Sequence, residues 1–270
     1  MRSSSLRSLM FKGLTIVAAI MSVTSTYAKT VVPLVTTSFY PPFAYLENGQ
    51  QKGALLEFIE RVAPNLPNYD MQITSMPFNK ISQHIIDGNA AGYLGAYYSI
   101  NRWEDVYPYS YPLFYEQHLL ICNSEKSAGK DWPDEHEGTK LGTVRDYSDW
   151  LTFGAKARNL GTMNVLEFPS PDFLLRGIHL GTVDCGIFER ATYAYKLAKL
   201  IERDELPSKP KLFQSSVIGQ TSIHIAFSEK YLEANPKLKT FERDFNSAFH
   251  QLLQNNAFDD ILERYELGVY

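Results

Sequence analysis

The feature that most constrains the fold is a helix–glycine–strand unit that occurs twice in the chain. The first copy is FNKISQHIIDGNAAGYLGA, residues 78–96, and the second is PDFLLRGIHLGTVDCGIFE, residues 171–189. Each copy combines apolar residues at helical spacing, a glycine suited to a helix C-terminus and an apolar strand. The residue identities do not repeat, but the order of elements does. This repetition predicts two lobes of similar topology.

Strands alternate with amphipathic helices along the chain, which predicts an α/β fold with largely parallel sheets. After the second copy, an apolar strand at 222–227 precedes two amphipathic helices that need a sheet to cover. We therefore expect the chain to cross into the second lobe near 115–121 and to return near 222–227, so that two strands form a hinge. The expected segments are a signal peptide (1–28), the first part of lobe 1 (29–116), lobe 2 (117–221), and the return strand and C-terminal helices of lobe 1 (222–270).

The first 28 residues are typical of a cleavable secretory signal. Arg2, Arg7 and Lys12 precede a short apolar run, and a small-x-small site ends at Ala28. The apolar run is too short to span a bilayer, and no cysteine follows it, so we expect secretion without a lipid anchor. The bacterial periplasm is the simplest compartment for such a protein.

Charge argues against two classes of partner. The formal net charge is −4, and removal of the three basic residues of the signal lowers it to about −7. A negative chain is a poor partner for nucleic acid or for an anionic membrane surface. We expect a monomer that binds a small molecule.

Two cysteines, Cys122 and Cys185, lie in apolar runs that read as strands. A small buried thiol is common in such a position, whereas an oxidising compartment also permits a disulfide. Of the two alternatives we favour free buried thiols.

The six histidines show no spacing typical of a metal site, and we find neither a phosphate-binding loop nor a nucleophile elbow. We therefore predict no metal, no cofactor and no catalytic residue.

Arg102 is the first candidate for ligand binding. It follows an apolar strand and lies three residues after Ser99. A guanidinium beside a hydroxyl suits a ligand carboxylate, because its planar fork can bind both oxygens. The alternative is a surface ion pair with Glu104 or Asp105.

Several motifs together resemble one family, the extracellular solute-binding proteins of family 3, which serve bacterial amino-acid ABC transporters. FYPPFAYLENGQQKGALLEFIERV is similar to its opening motif, GAYYSINRWEDVYPYSYPLFY to its Thr-x-x-Arg loop and hinge entry, and GTVDCGIFERATYAY to its Gly-x-Val-Asp segment. The resemblance covers nearly the whole mature chain. It implies a two-lobed periplasmic-binding-protein fold, each lobe a mostly parallel sheet flanked by helices, and delivery of the ligand to an ABC transporter permease.

The resemblance also implies roles for individual residues. Arg102 would bind a ligand carboxylate together with Ser99, and Ser148 with the backbone around Tyr147 would complete that site from lobe 2. Glu189 would pair with a ligand ammonium. Three aromatic residues would line the cleft, namely Tyr40, Phe78 and Tyr97.

Each of these roles has an alternative in the residues themselves. Glu189 could instead pair with Arg190 or Lys196 at a helix start, where acids are favoured. Any of the three aromatics could belong to the core. At the level of the whole protein, the alternatives are an enzyme similar to the cyclohexadienyl dehydratases, with Glu189 as its acid, and a module that presents its ligand to a signalling receptor.

Overall fold

The computed structural model of the protein describes residues 28–98, 106–145 and 161–268. The strands in this part of the chain are β1 (Thr30–Thr37), β2 (Phe39–Tyr40), β3 (Ala44–Glu47), β4 (Gln50–Lys52), β5 (Tyr69–Met76), β6 (Gly92–Tyr97), β7 (Val106–Tyr109), β8 (Phe114–Cys122), β9 (Lys140–Val144), β10 (Asn164–Phe168), β11 (Cys185–Glu189) and β12 (Phe213–Ser228). The helices are α1 (Ala54–Val62), α2 (Phe78–Ile86), α3 (Pro171–His179), α4 (Arg190–Glu202), α5 (Glu229–Ala234), α6 (Phe241–Gln254) and α7 (Asp259–Tyr265).

The two helix–glycine–strand units are present, and their backbones repeat closely. Gly88 follows α2 with a φ of 71°, and Gly181 follows α3 with a φ of 77°. In both units the glycine N–H and the next N–H donate to carbonyls of the last helical turn, at 2.8–3.0 Å. This is the Schellman C-cap, which needs a left-handed residue after the helix. The prediction of a repeated unit is confirmed.

The strands form one continuous sheet, with the order β10-β9-β11-β8-β12-β6-β1-β5, and β7 pairs with β12 beside this path. Parallel strands lie at its two ends. We call β6, β1 and β5 the first set, and β10, β9 and β11 the second set. Between the sets, β8 and β12 are antiparallel to each other, and each is antiparallel to the set it adjoins. A separate three-stranded sheet consists of β2, β3 and β4.

Because β8 and β12 are antiparallel, the carboxyl ends of the strands in the two sets face each other. Tyr97, the last residue of β6, lies opposite Ile223 of β12, which in turn lies opposite Phe114 of β8. Glu189, the last residue of β11, lies opposite His118 of β8. Positions 114 and 118 of one strand are roughly 13 Å apart. The carboxyl ends of both sets therefore reach the same stretch of β8, which is where ligands bind in open α/β sheets.

Each set has its own hydrophobic core. The first set packs against α1 and the C-terminal helices through buried aromatics that include Phe58, Phe245 and Phe249. The second set packs against α3 and α4 through residues such as Leu174 and Leu200. The C-terminal helices therefore cover the first set, although the lobe boundaries themselves stay a prediction. None of the helices within the described ranges is long and apolar enough to cross a membrane, and residues 1–27 of the expected signal lie outside those ranges.

The prediction of free thiols was wrong. Cys122 at the end of β8 and Cys185 at the start of β11 lie directly opposite each other and form a disulfide. The sequence separation of 63 residues gave no sign of this pairing. It arises from strand register, which brings two distant positions to the same place in the sheet.

Candidate ligand site between the two sets

Four of the eight predicted ligand residues lie within the described chain. Tyr40, Phe78, Tyr97 and Glu189 have defined positions, whereas the others fall in 99–105 and 146–160, outside the described residues. The roles predicted for those others stay predictions, and the residues concerned are Ser99, Arg102, Tyr147 and Ser148.

Glu189 is the centre of a polar cluster between the two sets. It ends the fully buried strand β11, immediately before α4 begins, and only 1% of its surface is exposed. Tyr40 donates a hydrogen bond of 2.9 Å to its Oε1, and the Tyr97 hydroxyl lies 3.4 Å from the same oxygen. The two hydroxyls are themselves 2.6 Å apart. Hydroxyls from two other strands therefore converge on one carboxylate oxygen of Glu189.

The two tyrosines reach Glu189 from the side of the first set. Tyr40 belongs to β2 and packs against the core of the first set, with its ring 4.8 Å from that of Phe43. Tyr97 ends β6. Since Glu189 comes from the second set, this cluster joins the two sets through hydrogen bonds to a buried acid.

The cations that could have paired with Glu189 have other partners. Arg190 donates through Nε to Gln117 at 2.9 Å. Lys196 forms an ion pair with Asp172 at 2.8 Å and lies 5.4 Å from the centre of the Phe39 ring. The structure thus surrounds Glu189 with phenols rather than with the cations of its own helix.

Phe78 occupies a different place. It begins α2 and packs, half-buried, on the cluster formed by Ile81, Ile85 and Tyr93, with its ring centroid 6.4 Å from that of Tyr93. It therefore packs on the core of the first set, and its predicted place in the cleft stays a prediction.

Sequence reasoning missed a second buried acid, Glu116 of β8. It is fully buried, and its Oε1 accepts a hydrogen bond of 3.0 Å from the backbone N–H of Ala191 in α4. No hydrogen-bond partner for Oε2 is found in the described ranges. The signal was present in FYEQHLLIC, where alternate positions 116, 118, 120 and 122 share one face of a strand and the first two are polar.

Burial controls the ionisation of both acids. It raises the pKa of Glu189, while the hydrogen bond from Tyr40 acts in the opposite direction. Burial also raises the pKa of Glu116 well above its ordinary value, and the nearby charge of Glu189 raises it further. Low dielectric disfavours a charged carboxylate, and two adjacent carboxylates disfavour each other's ionisation. The pair can therefore hold a proton at a pH where exposed glutamates have lost theirs.

His118 completes the buried face of β8. It is fully buried, and its Nε2 lies 2.8 Å from the Oγ1 of Thr221 on β12. Burial lowers the pKa of His118 to about 4, so the imidazole is neutral near pH 7. The site therefore combines neutral polar groups with acids that resist ionisation.

This arrangement supports two kinds of chemistry. An ionised Glu189 would bind a cationic ligand group that displaces the tyrosine hydroxyls. A protonated Glu189 would donate a hydrogen bond or a proton. In both cases the protonation state of Glu189 depends on how closely the two sets approach each other, because their contact buries the carboxyl group.

Comparisons with known proteins identify the fold. No protein-family model matches the sequence, and no curated protein is similar enough to count as a relative. Solved structures do match. The probable amino-acid ABC transporter extracellular-binding protein ytmK from Bacillus subtilis superposes with a TM-score of 0.72 at 11% identity, over 88% of this chain and 98% of that one. The chain has the periplasmic-binding-protein fold.

Two further structures show how widely this fold is shared. A histidine kinase sensor domain with similarity to periplasmic binding proteins gives a TM-score of 0.69 at 15% identity, covering 90% of this chain and 99% of that one. The ancestral amino acid-binding protein AncCDT-1, a precursor of cyclohexadienyl dehydratase, gives 0.64 at 15% identity, with coverages of 87% and 94%. The expected fold class is confirmed, and the resemblance to family 3 solute-binding proteins holds at the level of the fold.

Proposed function

We propose that this protein is an extracytoplasmic solute-binding protein that captures a small polar ligand, an amino acid or a related carboxylate, for delivery to an ABC transporter. In this proposal the first and second sets belong to two lobes that close around the ligand. Their carboxyl ends meet beside β8, and ligand binding favours the closed arrangement.

The observation that carries the proposal is the position of Glu189. A carboxylate that is 1% exposed at the end of a second-set strand, in contact with Tyr40 and Tyr97 from the first-set side, makes a junction that both sets must complete. An unpaired buried charge costs several kcal/mol. A ligand that supplies a cation to Glu189, and a carboxylate to the predicted anchor Arg102, would link the two sets at two points.

The solved neighbours support the same reading. They include substrate binding domain 2 of Lactococcus lactis GlnP and an ancestral arginine-binding protein bound to arginine. Their sequence identity of 17% to this chain carries the fold but not the ligand. The ligand class therefore has to be tested directly.

A thermal-shift screen of the secreted chain against amino acids, small amines and organic acids tests the proposal. A ligand that binds the folded state raises the midpoint of thermal unfolding by mass action. Calorimetry with the strongest ligand should then show that Arg102→Ala abolishes binding, whereas Arg243→Ala, which removes an exposed ion pair with Asp244, leaves it unchanged. An Arg102→Ala affinity within about threefold of the parent value removes Arg102 from the site.

A second function is favoured by one observation, the raised pKa of Glu189 among tyrosine hydroxyls. Such an acid could protonate a leaving hydroxyl, as a cyclohexadienyl dehydratase requires. Incubation with prephenate or arogenate separates the two functions. Formation of an aromatic product identifies an enzyme, and a stabilised protein with unchanged compound identifies a binder.

A further inference from the structure

A second cluster of chemically active side chains lies at the opposite end of β11 from Glu189. Its members are Cys122 of β8, Cys185 of β11 and His136, which ends a short 3₁₀ helix at Asp134–His136. Their sulfur and ring nitrogen atoms all lie within 4.8 Å of one another, and all three residues are buried. Cys185 and Glu189 are four residues apart on one strand, or roughly 13 Å. This cluster is therefore separate from the proposed ligand site.

The orientation of His136 is unusual for a structural histidine. Only 2% of its surface is exposed, and within the described ranges its Nε2 has no hydrogen-bond partner. An imidazole nitrogen with no hydrogen-bond partner can ligate a metal ion.

The environment of the cluster suits a metal with thiolate ligands. The surroundings are apolar and include Leu141, Met163 and the Trp132 ring, whose centroid lies 5.8 Å from that of His136. One divalent ion and two thiolates would add no net charge to this region.

We propose that Cys122, His136 and Cys185 form a redox-gated site for Zn²⁺, which is closed by the disulfide and opens when the disulfide is reduced. Two sulfurs and one imidazole nitrogen are a typical Zn²⁺ donor set, and three protein ligands leave a fourth position for water or another small ligand. In the oxidised form each sulfur is bonded to the other and offers no thiolate.

The gating reaction balances with a dithiol as reductant. The dithiol gives two electrons and two protons to the Cys122–Cys185 disulfide, whose S–S bond breaks to give two thiols, while the reductant forms its own disulfide. Zn²⁺ then replaces the two thiol protons, which leave to solvent, and Nε2 of His136 supplies the third ligand. Exchange with an oxidised dithiol reverses the reaction, because that disulfide takes up the two electrons and two protons from solvent to give two thiols, while the Cys122–Cys185 bond re-forms and Zn²⁺ is released.

The test is a titration of the secreted chain with Zn²⁺ alone, in competition with a chromogenic chelator. One sample is kept oxidised, and the other is reduced with a phosphine, which transfers its electrons and then does not compete as a thiol. We expect about one equivalent of Zn²⁺ to bind the reduced chain and none to bind the oxidised chain. His136→Ala should weaken binding by at least about tenfold, whereas His250→Ala, on the exposed face of α6, should not change it.

Folding is monitored in the same samples by circular dichroism. If His136→Ala does not fold, the midpoint of thermal unfolding of the parent protein serves as the test. Zn²⁺ should raise this midpoint in the reduced protein and leave it unchanged in the oxidised protein. The proposal is overturned if the reduced chain neither binds Zn²⁺ nor gains stability from it. Binding that survives oxidation, or that is unchanged in folded His136→Ala, also overturns it.

Discussion

Strand β6 in the first set and strand β11 in the second set are both entered from a helix through a Schellman glycine, yet they end differently. β6 ends in Tyr97 and is held in a core rich in phenylalanine. β11 ends in Glu189 and begins at a disulfide. The shared architecture brings both ends to β8, and the last residue of each strand supplies the chemistry. The comparison shows that one backbone plan can present a hydrogen-bond donor from one side and an acid from the other.

The disulfide gives the largest expected difference between the sets. Cys122→Ser combined with Cys185→Ser should lower the free energy of unfolding by about 4 kcal/mol, given the 63-residue separation of the cysteines. The loss should fall on the second set, because the disulfide joins β8 to β11. Urea unfolding measures the total loss of stability. Hydrogen exchange, compared between the strands β9 and β11 and the strands β1 and β5, shows which set loses protection. Equal loss of protection in both sets would contradict a local role.

Glu116 should make stability depend on pH. Because its pKa is raised in the folded chain, the native state keeps a proton that the unfolded chain releases near the ordinary value of 4.5. Stability is therefore present at low pH and is lost as the pH rises from about 4.5 toward the folded pKa, by about 1.4 kcal/mol for each pKa unit.

Glu116→Gln removes this titration, so the variant should gain stability relative to the parent between pH 5 and pH 7, by at least about 1 kcal/mol. Chemical unfolding at several pH values measures the gain. Glu263→Gln, an exposed position on α7, is the matched control and should track the parent at every pH. If the Glu116→Gln profile also follows the parent, Glu116 ionises freely and the proposed coupling to Glu189 is wrong.

The junction between the sets can be tested at Tyr40. Tyr40→Phe removes the hydroxyl that donates to Glu189 at 2.9 Å, and it should cost about 1–2 kcal/mol while the sets are in contact. Tyr111→Phe removes a hydroxyl from a side chain that is 57% exposed and should cost much less. Urea unfolding with and without an identified ligand measures both. A negligible cost for Tyr40→Phe in both conditions would mean that this hydrogen bond does not join the sets in solution.

The two Schellman glycines offer the smallest and most closely matched test. Alanine at Gly88 or Gly181 must adopt a φ above 70°, which costs about 1 kcal/mol at each position. An added Cβ at Gly88 would lie 3.0 Å from the Lys230 side chain, whereas at Gly181 the nearest atom, in Asn123, is 3.9 Å away. Gly88→Ala should therefore cost at least as much as Gly181→Ala. A smaller loss of stability for Gly88→Ala than for Gly181→Ala would contradict this expectation.

Much of the fold was accessible from the sequence because local patterns carry it. The apolar spacing of Ile81 and Ile85 and the glycines after both helices predicted α2, α3 and their ends. One local detail departs from the usual pattern of helix starts. Ser170 precedes α3 and Pro171 begins it, but the Ser170 side chain makes no capping hydrogen bond.

Part of the candidate site was also accessible. The resemblance to family 3 marked Glu189 as a candidate, and it named Tyr40 and Tyr97 with it. Their contact with one another was not predictable, because it depends on β2, β6 and β11 meeting at β8. The same reason explains why Glu116 was missed. Its partner Ala191 is 75 positions away in the sequence.

The sequence by itself determined the repeated helix–glycine–strand plan and the residues that end each strand, because helix periodicity, caps and apolar runs are local properties of the chain. Only the tertiary structure decided that Cys122 pairs with Cys185, that His136 lies beside them, and that Glu189 contacts two tyrosine hydroxyls while Arg190 and Lys196 have other partners. Those outcomes depend on strand order and register. Both are fixed by the burial of whole faces against one another, and no short stretch of sequence records them.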